Sequence, residues 1–132
     1  MKNKIYFVTG ISTEVGKTIA SAIITEALEA DYWKPIQAGE LDNSDTKKVK
    51  NYITNKTSQF HDNSYALKSP MSPHAAAEID NTTIDLKKII APKTKNNLVI
   101  EGAGGLLVPL NNTSTITRFT NMSIHLYFFI VS

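Results

Sequence analysis

The sequence has no cysteine in 132 residues, which excludes a disulfide framework, a thiolate nucleophile and a cysteine zinc site, and suits a reducing cytosol. Charge of one sign is also scarce. Lysine and arginine outnumber aspartate and glutamate by 14 to 12, a net charge of +2, too small to imply nucleic acid or an anionic membrane as a partner. Long hydrophobic runs are missing. The opening MKNKIYFVTG offers only the apolar stretch Ile5 to Val8, shorter than the apolar region of a secretory signal and far short of a membrane span, so the cytoplasm is the expected compartment. The chain contains no internal repeat and no low-complexity linker. Sequons at Asn55, Asn81, Asn111, Asn112 and Asn121 follow from an abundance of asparagine and threonine and do not by themselves mark glycan sites.

What is present is the composition of a folding chain, with 42% hydrophobic and 20% charged residues, and a length that suits one domain over residues 1–132. Ile5 to Thr9 read as a fully buried strand ended by Gly10. From Lys17 to Glu29, Ile19, Ile23 and Ala27 recur at helical spacing with Ala20, Ile24 and Leu28 beside them, which predicts a helix with one apolar stripe. Tyr32 to Gln37 is a second strand, with Pro35 placing its end nearby. Residues 40–80 are polar and carry Pro70 and Pro73, so helix and loop are expected to alternate there. Leu86, Ile89 and Ile90 give a short helical stripe ended by Pro92, and Leu98 to Ile100 a buried strand leading into Glu101. A short helix over 115–121 and a strand from Ile124 to Val131 complete the pattern. Strands separated by helices predict an α/β fold with a parallel sheet. A chain ending one residue past an apolar strand also predicts truncation, since such a strand normally leads into a covering helix.

The segment GISTEVGKT, Gly10 to Thr18, lies between a buried strand and a helix, the context of a phosphate-binding loop. Backbone N–H groups at the helix start face the phosphates, the Lys17 ammonium neutralises their oxygens, and the Thr18 hydroxyl reaches a magnesium ion. Five residues separate Gly10 from Gly16 where the usual motif has four, so the loop is a variant. The bland alternative is a glycine turn capping a helix. Glu101, followed by Gly102, Ala103, Gly104 and Gly105, ends a strand at the edge where ligands of open α/β sheets bind. Its carboxylate suits a magnesium ion and its glycines a close backbone approach, while the alternative is a simple strand-end turn. Lys34, pinned by Pro35, ends the second strand on the same edge and would add a second cation. Asp45 in NSDT reads most simply as a helix N-terminal residue.

TEVGKT at 13–18, WKPIQAG at 33–39, NSD at 43–45, SPHAAA at 72–77 and EGAGG at 101–105 occur in an order and spacing that resembles dethiobiotin synthetase. The resemblance covers nearly the whole chain. It implies a three-layer P-loop NTPase-like fold with a mostly parallel sheet, here cut short at its C-terminus. The implied reaction is an ATP-dependent ligation in biotin biosynthesis, in which 7,8-diaminononanoate and CO2 close to a cyclic urea with release of ADP and phosphate. Carried onto matching positions, Glu14, Val15, Gly16, Lys17, Thr18 and Ile19 bind ATP, together with Asp45, Glu101, Gly102, Ala103 and Gly104. Thr18, Asp45 and Glu101 hold Mg2+, Lys34 and Lys17 are catalytic, and Thr13, Lys34, Ala38, Gly104 and Gly105 meet the substrate. Ser72, Pro73 and His74 resemble a segment near the diamine. Ala38 stands where some members place a hydroxyl residue, which leaves backbone contact alone. Small molecules are the implied partners, with no nucleic acid and no membrane, and the resemblance suggests a homodimer. The competing readings are another variant-loop ATPase and a nucleotide-binding fragment without catalysis.

Overall fold

The computed structural model describes residues 3–11, 16–104 and 126–131. In chain order it contains β1 (Ile5–Gly10), α1 (Lys17–Leu28), β2 (Asp31–Trp33), β3 (Ile36–Ala38), α2 (Asp45–Tyr52), β4 (Phe60–His61), β5 (Tyr65–Leu67), α3 (Pro73–Ile79), β6 (Leu98–Glu101) and β7 (Leu126–Val131), with 3-10 turns at Leu41–Asn43 and Leu86–Lys88. Five strands form one sheet in the order β4-β2-β6-β1-β7, and β3 pairs with β5. Every pairing among the described strands is parallel.

Parallel strands need cover on both faces, and the period of two in their side chains supplies two cores. Phe7, Trp33, Leu98 and Ile100 point into a cluster with Ile36, Leu67, Ala76 and Ala77, so β3, β5 and α3 cover that face. Val8, Tyr32 and Val99 point the other way, against Ala22 of α1 and Val49 of α2. The result is the expected three-layer α/β arrangement with a parallel sheet in the middle.

Several expectations change in detail. The second strand does not run through to Gln37: it stops at Trp33, and the Pro35 carbonyl accepts from the N–H groups of Ser64 at 2.7 Å and Tyr65 at 3.0 Å. Those bonds hand Ile36–Ala38 over to a separate pairing with β5. The strands β4 and β5 lie in the stretch expected to alternate helix and loop, and their two or three residues are too short to show periodicity. The stripe at Leu86, Ile89 and Ile90 is a single 3-10 turn, with Ile89 buried and Ile90 exposed. The helix expected over 115–121 lies outside the described residues.

The largest change concerns α1. Its buried residues are Lys17, Ser21, Ala22 and Thr25, whereas Ile19, Ile23 and Leu28 of the expected stripe are exposed. Small side chains let the helix lie close against the sheet, and Ala20 and Ile24 of the expected stripe pack, partly buried, beside them. Gly16 precedes α1 at φ 93°, a conformation that glycine adopts without cost. A Cβ at Gly16 would come no nearer than 4.0 Å to Val131, so conformation and not space requires the glycine. Among the described residues no helix is long and apolar enough to cross a membrane.

Candidate functional site

Strands β2, β6 and β1 lie side by side and run parallel, so their carboxyl ends open on one edge of the sheet. Each end delivers chemistry. The chain beyond β1 leads to α1, whose first turn carries Lys17 and Thr18. Lys34 directly follows β2, and Glu101 is the last residue of β6. Asp45 begins α2, where the Ser44 side chain accepts from the Lys47 N–H at 3.3 Å and caps the helix. So the helix-start reading of Asp45 holds.

These side chains meet around one point. Thr18 Oγ1 lies 3.1 Å from Asp45 Oδ1 and 3.0 Å from Glu101 Oε1. Lys34 Nζ donates to Asp45 Oδ2 and stands 3.6 Å from Glu101 Oε1, with both Lys34 and Glu101 buried. Lys48 Nζ approaches Asp45 Oδ1 from outside at 3.8 Å. Three hard oxygens thus converge with one hydroxyl proton among them, an arrangement that requires positive charge. The donor set fits Mg2+, which takes one or two carboxylates and keeps several waters.

Electrostatics follow from the crowding. Burial disfavours the ionised Asp45 carboxylate, but the Lys34 ammonium, the Thr18 hydroxyl and Lys48 together outweigh it and hold the carboxyl below its ordinary value of 3.8. Burial and the neighbouring Lys34 ammonium push Lys17 below 10.5, against the pull of Glu101 and Asp45. Two ammonium groups thus stand close enough to repel each other, an arrangement that an anion between them would relieve.

The remaining expected residues are distributed as follows. Gly102 donates its N–H to Val8 O at 2.9 Å, which extends the pairing with β1 by one residue, and Ala103 is buried beside it. Gly104 has φ 70°. Ile19 sits exposed in the first turn of α1, and Ala38 ends β3. Ser72 precedes α3 and Pro73 starts it, while His74 Nε2 pairs with Glu78 Oε1 at 3.1 Å along that helix. Thr13, Glu14, Val15 and Gly105 lie outside the described residues.

The profile of the AAA domain family matches residues 4–123. The chain belongs to this family. Among curated relatives, the ATP-dependent dethiobiotin synthetase of Christiangramia forsetii is 63% identical over 86% of this chain and 55% of its own length. That of Cytophaga hutchinsonii is 51% identical over 86% of this chain and 55% of its own. The Chlamydia pneumoniae enzyme of the same name is 52% identical over 77% of this chain and 45% of its own. This AAA domain therefore spans about half the length of these relatives, and the resemblance drawn from its motifs is borne out.

Two residues of the site escape a reading of the sequence. Gln37 is buried in β3, where its Nε2 donates to Gly39 O at 3.0 Å and its Oε1 accepts from the Asp45 N–H at 3.2 Å. It fixes the start of α2 and so the place of Asp45. Tyr32 is buried in β2 and its hydroxyl donates to Glu101 Oε2 at 2.5 Å. The signal for both was a polar atom inside an otherwise apolar strand, which marks a buried partner without naming it.

Proposed function

We propose that this AAA domain catalyses ATP-dependent closure of a cyclic urea, the dethiobiotin synthetase reaction, in the cytoplasm and as a homodimer. One amine of 7,8-diaminononanoate attacks CO2 and loses a proton to give a carbamate. A carbamate oxygen then attacks the γ-phosphorus of ATP and ADP leaves. The second amine attacks the activated carbonyl carbon, phosphate leaves, and the ring closes. Each step gathers negative charge, first on the carbamate and then on the transferring phosphoryl group.

The observation that carries this reading is the meeting of Lys17, Lys34, Thr18, Asp45 and Glu101 at the edge where β1, β2 and β6 end. Lys17 would bind the β and γ phosphate oxygens, helped by N–H groups at the start of α1. Lys34, released from Asp45 toward the substrate, would hold the carbamate against the γ-phosphoryl group and stabilise charge as it moves between them. Glu14, Val15, Gly16 and Ile19 would complete the nucleotide contacts with Gly102, Ala103 and Gly104, and Thr13, Ala38, Gly104 and Gly105 would contact the diamine. Thr18, Asp45 and Glu101 would hold Mg2+, which when bound neutralises phosphoryl oxygens.

The test is ADP release on adding 7,8-diaminononanoate and bicarbonate to the protein with Mg2+ and ATP, with Lys34→Ala alongside. Release should depend on the diamine and fall by ~100-fold or more in the variant, while ATP binding persists. Release without the diamine would point to a general ATPase. No release from a folded sample would mean that this half of the relatives' length does not complete the reaction.

A further inference from the structure

In this parallel sheet Tyr32 of β2 is in register with Val99 of β6. Glu101 stands two residues beyond Val99, on the same face by the period of the strand. The long phenol therefore spans the offset and places its hydroxyl on the carboxylate. Packing alone does not explain that hydroxyl, because the ring already fills the space among Val8, Ala22, Val49 and Val99 and lies 6.1 Å from the Phe60 ring. Phenylalanine would serve that purpose. A buried hydroxyl needs a partner, and here its partner is a residue at the reaction edge.

The two oxygens of Glu101 have separate duties. Oε2 takes the Tyr32 proton at 2.5 Å, while Oε1 faces Thr18 Oγ1 at 3.0 Å and Lys34 Nζ at 3.6 Å. The terminal torsion of a glutamate is broad and two-fold, so a carboxylate held by one oxygen only would turn freely. The phenol removes that freedom.

We infer that Tyr32 is a positioning residue for the divalent cation: its hydroxyl commits Glu101 Oε2 to the protein and presents Oε1 alone to the metal beside Thr18 and Asp45. The inference rests on the reading of Glu101 as a metal ligand. Outer partners of ligating carboxylates are worth about 10- to 100-fold in metal affinity when removed.

The experiment is titration of the protein with Mn2+ alone, followed by electron paramagnetic resonance, for wild type, Tyr32→Phe, Glu101→Gln and Phe60→Leu. ADP affinity in EDTA and thermal melting are measured for each. Tyr32→Phe should weaken Mn2+ binding by about 10-fold or more and leave metal-free ADP affinity within about twofold. Glu101→Gln should weaken Mn2+ binding further. Phe60→Leu trims the ring beside Tyr32 without touching the hydroxyl, and should lower the melting temperature while keeping Mn2+ affinity. If Glu101→Gln binds Mn2+ like wild type, the metal reading falls and this inference with it. Wild-type affinity in Tyr32→Phe beside a weakened Glu101→Gln overturns the role of Tyr32 alone. Equal losses in Tyr32→Phe and Phe60→Leu, or parallel losses of Mn2+ and ADP binding, would assign the effect to packing and overturn it too.

Discussion

At the scale of single residues, Asp31 shows how this chain spends a buried charge away from the site. It opens β2, at the end opposite Lys34, and is fully buried. Its Oδ1 accepts from Asn96 Nδ2 at 2.8 Å and from the Gln59 N–H at 3.1 Å, and its Oδ2 meets His61 Nε2 at 2.8 Å. Burial acts to raise the carboxyl pKa, but the bonds from Asn96, Thr94, His61 and Gln59 together hold it below 3.8. A depressed carboxyl pKa stabilises the fold above the ordinary value, and that contribution fades as pH falls through the folded value. Asp31→Asn puts a donor where donors converge, so urea unfolding at neutral pH should show a loss of ~2 kcal/mol that narrows below about pH 4. Equal stability at neutral pH would mean that the bonds carry no net weight. The same scale explains what the sequence discloses of the site. Lys17, Thr18, Lys34 and Glu101 are legible because each is a reactive side chain beside the end of an apolar strand or the start of a helix, whereas Asp45 reads by position only as a helix start and joins them through the family resemblance. Tyr32 is not, because its partner lies 69 positions away and only the sheet register brings the two together. Gln37 is hidden for a related reason, since its amide acts through the backbone of Asp45.

At the scale of elements, α1 was legible in place and only partly in orientation, since Ala20 and Ile24 of the expected stripe pack against the core while Ile19, Ile23 and Leu28 are exposed. Its spacing of large apolar residues marks one stripe, while the sheet takes the stripe of Ser21, Ala22 and Thr25. Close approach to a parallel sheet favours small residues, and a pattern of hydrophobicity does not report size. The far end of α1 is held by Glu26, whose Oε2 accepts from the N–H groups of Thr54 at 3.1 Å and Asn55 at 3.2 Å and from Asn55 Nδ2 at 2.8 Å. Its Oε1 accepts from Thr54 Oγ1 at 2.5 Å. Those residues leave α2, so the two helices that present Lys17, Thr18 and Asp45 are tied together at their opposite ends. The side-chain bonds from Thr54 and Asn55 bring the Glu26 carboxyl from 4.5 down to about 2. The tether should be complete above the ordinary value and lost as pH falls toward the folded one. Glu26→Gln should therefore have a lower urea midpoint than wild type at neutral pH, and the two should converge as pH approaches 2. A difference that stayed constant over that range would show that the carboxylate charge is not what holds the loop.

At the scale of the whole molecule, the site exists only when the sheet does. Thr18 and Glu101, in contact at 3.0 Å, are 83 positions apart, and Asp45 and Lys34 come from two further elements. The parallel order was legible from buried strands alternating with helices, but the register that closes this circle was not, because it depends on β2, β6 and β1 pairing across long stretches of chain. An unfolded chain therefore has no such site, and a ligand of the site binds the native state alone. Linkage then sets the size of the effect. Mg2+ and ATP at a hundred times their dissociation constant should add about 2.7 kcal/mol of stability. With the unfolding entropy usual for a chain of this length, that raises the melting temperature by about 10 °C. Lys17→Ala should remove most of the rise by taking away the phosphate cation. Glu101→Gln should remove the part that depends on Mg2+ and keep the part seen with ATP in EDTA. Differential scanning fluorimetry of the three proteins, with and without EDTA, separates these terms. A folded wild-type protein whose melting temperature ignores Mg2+ and ATP would mean that the edge where β1, β2 and β6 end does not take nucleotide.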